Sequence, residues 1–204
     1  MKRLPDLQFE YALEKPVAGL DEAGCGPWAG ALVAAAVILP SVLPDFIHDV
    51  NDSKKLTRVK REKFFELIMA DKSLSVGVGI VGVAELDELL LRKALPLAFK
   101  RAVEALNQEP GSLLIDGIRN PNLPYPTCML KQGDQLSLSI ATASIIAKVT
   151  RDRLMDDLHD QYPAYGWGQN AGYGTTMHRD ALDRFGVTPH HRKSYAPIKK
   201  YLLG

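Results

Sequence analysis

Apolar positions along the chain fall into several distinct patterns. Val17-Ala18-Gly19-Leu20 is a short continuous run and Ala31 to Leu39 a longer one, closed by Pro40. Two such runs joined by a glycine turn predict an antiparallel hairpin of buried strands. Leu74 to Val83, with alternating Val and Gly, predicts a third strand, Ser112 to Gly117 a fourth, and Tyr125 to Leu130 an edge strand. Apolar residues three and four apart predict helices over Lys60–Asp71, Leu90–Leu106 and Leu136–Gln161, with a shorter one over Met177–Phe185. Pro96 lacks the N–H that a helix interior needs, so it is expected to kink or divide the second of these. Strands interleaved with helices predict an α/β fold, and 204 residues with 46% hydrophobic side chains suffice for one domain over 1–204.

Charge changes this picture only locally. With 25 basic and 24 acidic side chains the formal charge is +1, which excludes a polycation of the histone type. From His178 to Lys200, however, Arg179, Arg184, Arg192, Lys193, Lys199 and Lys200 face only Asp180 and Asp183. A basic tail opposite an acidic site suits a polyanion held through metal ions; a solvated surface accounts for it equally well. Cys25 and Cys128 follow no zinc spacing and offer no disulfide framework. Met1 to Glu14 lacks the apolar core of a signal peptide, and no stretch reaches transmembrane length. A soluble, cytoplasmic protein without membrane association is expected, and nothing demands more than a monomer.

The candidate chemistry lies at strand ends. Asp21-Glu22 closes the first apolar run just before Gly24-Cys25-Gly26; Asp116 closes the fourth strand; Asp134 sits in a turn that opens a helix. Carboxylates converging from strand ends repel one another, and divalent cations relieve that repulsion. Oxygen ligands without Cys or a close His pair point to Mg2+ or Mn2+. Two such ions would serve phosphodiester hydrolysis without a general-base side chain. Simpler roles remain open for each acid alone: Asp134 as a helix cap, Asp116-Gly117 as an ordinary turn. Strand alternation also turns Glu22 away from Asp21 unless the chain bends at Ala23-Gly24. A dinucleotide fingerprint at Gly24-x-Gly26-x-x-Ala29 is a weak match, because the turn leads into a strand-like run rather than a helix.

Together these segments closely resemble the bacterial ribonuclease HII (type 2 ribonuclease H) family. The resemblance runs through Val17 to Gly24, Asp52-Ser53-Lys54-Lys55-Leu56, Leu114 to Gly117, Lys131 to Asp134, Ala143 to Asp152, Gly172 to Thr175 and His191 to Pro197. It implies a ribonuclease H-like fold, a central mixed sheet flanked by helices, with a helical C-terminal substrate-binding extension from about residue 160 to 204. It implies a metal-dependent endonuclease that cuts the RNA strand of RNA–DNA hybrids and nicks duplex DNA 5′ of an embedded ribonucleotide, leaving 3′-hydroxyl and 5′-phosphate ends. Carried over by motif, Asp21, Glu22, Asp116 and Asp134 are the catalytic metal-binding carboxylates, and Asp152 is structural. Gly24-Cys25-Gly26 and Tyr173 would read the 2′-hydroxyl, with Lys54 and Lys55 on phosphates.

Two positions depart from the family pattern. Cys25 stands where the family has arginine or lysine, and Ala171 where it often has lysine. Losing a charge-assisted phosphate contact forfeits about 1.5–3 kcal/mol where one forms. An active enzyme with altered phosphate affinity is expected, with a catalytically weakened hybrid-binding protein as the alternative. A redox-sensitive thiol at Cys25 is a further possibility. The ending Lys199 to Gly204 carries no persuasive motif for a partner such as a replication clamp.

Overall fold

The structure, a computed structural model, describes residues 4–203; positions 1–3 and 204, the ends of the expected domain, lie outside the described residues. Strands β1 (Val17–Ala23) and β2 (Leu32–Ile38) form the predicted hairpin, with Ala18 opposite Ile38 and Ala23 opposite Val33. β3 (Ser75–Val81) pairs antiparallel with the far side of β2. On the other side of β1, β4 (Ser112–Asp116) and β5 (Thr127–Leu130) add in parallel, giving the order β3-β2-β1-β4-β5. β2 is buried along its whole length, which is why it reads as one continuous apolar run.

Seven helices accompany the sheet among the described residues: α1 (Gln8–Tyr11), α2 (Arg58–Ala70), α3 (Val83–Glu104), α4 (Leu138–Gln161), α5 (Trp167–Asn170), α6 (Thr176–Phe185) and α7 (Ala196–Lys199). α3 covers one face, packing Ala94, Ala98, Phe99 and Ala102 against Leu20, Leu32 and Val81. α4 covers the other, where Ala141, Ile145, Ile146 and Val149 meet Ala35, Val37 and Ile68 of α2. Burying each large aliphatic side chain is worth about 1.5–3 kcal/mol, so the two-sided sheet is the stable frame on which the site rests. At the start of α4, Glu10 Oε1 accepts from the Ser139 N–H (3.0 Å) and from the hydroxyls of Ser137 (2.6 Å) and Ser139 (2.7 Å). A carboxylate there complements the helix dipole.

The helix expected over Leu90–Leu106 differs from its prediction in both start and break. α3 begins at Val83, and its non-helical residue is Leu90 (φ 59°, ψ 159°), not Pro96. Pro96 falls near the start of the second segment, where its missing N–H deletes one bond from the first turns rather than interrupting a long ladder.

Beyond α4 the chain builds a third cluster of Tyr165, Trp167, Ala181, Leu182 and Ile198 around Met155. This is the predicted helical C-terminal part. Within it His178 Nε2 and His191 Nε2 lie 2.9 Å apart, and Trp167 Nε1 donates to His178 at 3.3 Å. No helix is long and apolar enough to cross a membrane among the described residues.

Candidate active site

β1 and β4 run parallel side by side, so their C-terminal ends deliver Asp21 and Asp116 to the same edge of the sheet. Asp134 arrives in a single 3₁₀ turn, Gly133–Gln135, directly after β5. That turn is tied to β4, because the Gly133 N–H donates to Asp116 Oδ1 at 2.7 Å. A Cβ at Gly133 would lie 2.6 Å from Ile140 Cδ1 and 3.1 Å from Leu130 Cβ, so any larger residue there would have to displace the Ile140 side chain. Asp21, Asp116 and Asp134 each offer a carboxylate oxygen within 4.8 Å of the others.

Glu22 stands outside that group. β1 keeps its regular register through Ala23, so Asp21 and Glu22 leave the strand on opposite faces, and the chain turns only after them, at Gly24 (φ 102°). Its Oε1 instead accepts from the Cys25 thiol at 3.5 Å. The four acids are nevertheless coupled electrostatically. Burial, followed by the charges of Glu22 and Asp116, holds the Asp21 carboxyl well above the usual range. Burial also raises Glu22, partly offset by the Cys25 thiol, with Asp116 adding to the rise. Asp116 is raised chiefly by burial, against the Gly133 hydrogen bond. Carboxyls that resist ionisation together, with oxygen as their only donor atom, fit a hard divalent cation.

Of the two lysines, one reaches the acids. Lys54 Nζ donates to Asp134 Oδ2 at 3.0 Å. Burial lowers its pKa, but the Asp134 hydrogen bond and charge outweigh that and raise it above the ordinary lysine value. Lys55 turns to Asp52 instead, at 3.8 Å. Asp152 pairs with Lys148 (2.6 Å) and Arg61 (3.9 Å), away from the carboxylate group, consistent with a structural role.

The glycine turn and Tyr173 lie side by side. A Cβ on Gly26 would stand 3.4 Å from Tyr173 Cε1, and Tyr173 is 51% exposed. The Trp28 N–H donates to the Gly172 carbonyl at 2.8 Å, fastening the two loops together. The Cys25 thiol is pushed up to about 12 by burial and by the charge of Glu22, which leaves almost no thiolate at neutral pH and argues against redox sensitivity there.

Two side chains that sequence reasoning missed lie beneath this turn. Arg192, counted above within a basic tail, is 0% exposed, and Arg151 of α4 is 1% exposed. Gly24 (φ 102°) sits on Arg151, whose Nε would lie 2.2 Å from a Cβ placed there. The available signal was position alone: both arginines fall inside motif segments that carry the family resemblance.

Comparison with known proteins agrees with this geometry. A family model described as Ribonuclease HII matches residues 18–198. A ribonuclease HII of Paramagnetospirillum magneticum is 48% identical over 202 residues, covering 98% of this chain and 100% of that protein. The crystal structure of ribonuclease H2 from Pyrococcus horikoshii superposes with a TM-score of 0.76 at 26% identity, covering 91% of this chain and 96% of that one. The RNase HII of Archaeoglobus fulgidus, solved in complex with PCNA, superposes with a TM-score of 0.72 at 26% identity, covering 88% and 94%. A mixed sheet flanked by helices, carrying its acids at adjacent strand ends and matched by a family over nearly its whole length, places this chain in the ribonuclease HII family of ribonuclease H hydrolases.

Proposed function

We propose that the protein is a divalent-metal-dependent endonuclease that hydrolyses the RNA strand of RNA–DNA hybrids and incises duplex DNA 5′ of a single embedded ribonucleotide, leaving 3′-hydroxyl and 5′-phosphate ends. The observation that carries this reading is the convergence of Asp21, Asp116 and Asp134 within 4.8 Å, with β1 leading from Asp21 into the glycine turn that Tyr173 stands against. Those three carboxylates, with Glu22 beside them, would hold Mg2+ or Mn2+, two ions when substrate is present. Such ions supply an acidified water and stabilise the leaving oxygen.

The remaining work belongs to the chain. The backbone of Gly24-Cys25-Gly26 approaches the sugar-phosphate closely, and its amides can bond the 2′-hydroxyl, the group that distinguishes RNA from DNA. Tyr173 presents an exposed ring that can stack on the neighbouring sugar and a hydroxyl that can hydrogen-bond. Lys54, exposed and bonded to Asp134, puts a positive charge beside the carboxylates that can serve the phosphates. Residues from about 160 to 204, which carry Tyr173, act as the substrate-binding extension. Cys25 directs its thiol to Glu22 and packs against the core under α3, so position 25 offers the phosphates no basic side chain and phosphate affinity is weaker.

A cleavage assay on a duplex with one ribonucleotide tests this reading. Mg2+ or Mn2+ should support a single cut on its 5′ side and chelator should abolish it; cutting in chelator, or none with either ion, would overturn it.

A further inference from the structure

We propose that Arg192 and Arg151 are positioning residues for ribonucleotide recognition: Arg192, with Tyr195, turns the Cys25–Gly26 peptide so that its N–H faces the cleft, and Arg151 locks the Tyr173 loop to the same turn. The proposal rests on the function proposed above and names the residues behind its specificity.

Among the described residues every hydrogen-bond acceptor of the two guanidiniums is neutral. Arg192 donates to the carbonyls of Gly30 (2.9 Å), Ala31 (3.1 Å) and Cys25 (3.3 Å) and to the Tyr195 hydroxyl (3.0 Å). That hydroxyl in turn donates to the Cys25 carbonyl at 2.7 Å. Arg151 donates to the carbonyls of Ala29 (3.2 Å), Ala31 (3.1 Å) and Ala171 (3.0 Å), the last immediately preceding Gly172-Tyr173.

In a trans peptide the C=O and N–H point in opposite directions. A Cys25 carbonyl drawn inward by two donors therefore sends the Gly26 N–H outward. The Cys25 and Gly26 amides donate no hydrogen bond within the described residues, and Gly26 is exposed, so the outward N–H is free for a ligand oxygen. Burial, and then the charge of Arg192, disfavours the charged Arg151 guanidinium, and burial disfavours that of Arg192, so holding two such groups here without a carboxylate hydrogen-bond partner is costly. The arrangement buys orientation of a backbone donor instead.

The test is binding without cleavage. In an Asp116→Asn background without metal, dissociation constants are compared for a duplex with one ribonucleotide and the same duplex in all-DNA form, alongside melting temperatures. Tyr195→Phe, which removes one donor to Cys25 and keeps the ring, should shrink the preference for the ribonucleotide about fivefold, the equivalent of one hydrogen bond. Arg192→Lys and Arg151→Lys should erode it at least as far, because lysine keeps the charge but not the planar fork. Variants that melt lower yet keep the parental preference would overturn the proposal and leave the arginines purely structural. A parent protein without any preference would overturn the proposed function as well, which distinguishes the two failures.

Discussion

Lys54 Nζ lies 3.0 Å from Asp134 Oδ2, so one of the carboxylates suited to a divalent cation is already shared with a side-chain cation. The lysine side chain is 75% exposed, which keeps the pair weak. Lys54 and metal therefore compete for Asp134. Lys54→Gln should tighten Mn2+ binding by calorimetry about two- to fivefold, the equivalent of a surface ion pair, while raising KM for duplex. Weaker metal binding in the variant would contradict this competition.

Cys25→Arg should lower KM and steepen its dependence on salt. The added charge would lie at the turn, and each new phosphate contact adds roughly one unit to the salt slope. Steady-state kinetics on one hybrid at two salt concentrations decides it. Unchanged KM and slope would mean that the side chain at position 25 does not meet the substrate.

The histidine pair predicts acid sensitivity. Burial, and then the charge of His178, pulls His191 down to about 3, and burial also lowers His178. A His with a depressed folded pKa contributes stability that is present above its unfolded value, near 6.5, and lost as pH falls toward the folded value. Between pH 7 and 5, His191 should cost about 2 kcal/mol of unfolding free energy. Denaturant titrations with saturating Mg2+ should show that fall in the wild type and a shallower one in His191→Asn. Equal slopes would place the acid sensitivity elsewhere.

Leu90 holds a backbone conformation that suits glycine, and the residue is 55% exposed, so little packing is at stake. Leu90→Gly should stabilise the protein by about 1 kcal/mol, or roughly 2–4 °C in Tm for a chain of this size. A lower Tm by calorimetry would show that the leucine side chain contributes more than its backbone costs.

Much of this frame was legible in the residues. Continuous apolar runs marked β1 and β2 because both are buried, and acids near the ends of β1 and β4 and in the turn after β5 pointed to Asp21, Asp116 and Asp134, which the fold brings together. Alternation along β1 gave warning that Glu22 would not join the oxygens of Asp21, Asp116 and Asp134. What stayed hidden depends on distant packing. Arginine is normally exposed, so nothing local marks Arg192 as the buried partner of Gly30, 162 positions away. The break in α3 was hidden for a related reason: Pro96 carries the breaking propensity, whereas Leu90, an ordinary helix former, takes the strained conformation. Lys54 and Lys55 are indistinguishable by composition, and only the Ser53–Lys55 turn sends one to Asp134 and the other to Asp52.

Cutting is proposed to depend on metal held by Asp116 together with Asp21 and Asp134. The most direct measurement compares wild type and Asp116→Asn on a labelled duplex carrying one ribonucleotide, with Mg2+ and with Mn2+. Asp116→Asn should lose at least about 10³-fold in cleavage, in the range seen when a group essential to transition-state stabilisation is removed, with duplex binding within a few fold of wild type. Cleavage by Asp116→Asn at a rate near wild type, in either metal, would contradict it.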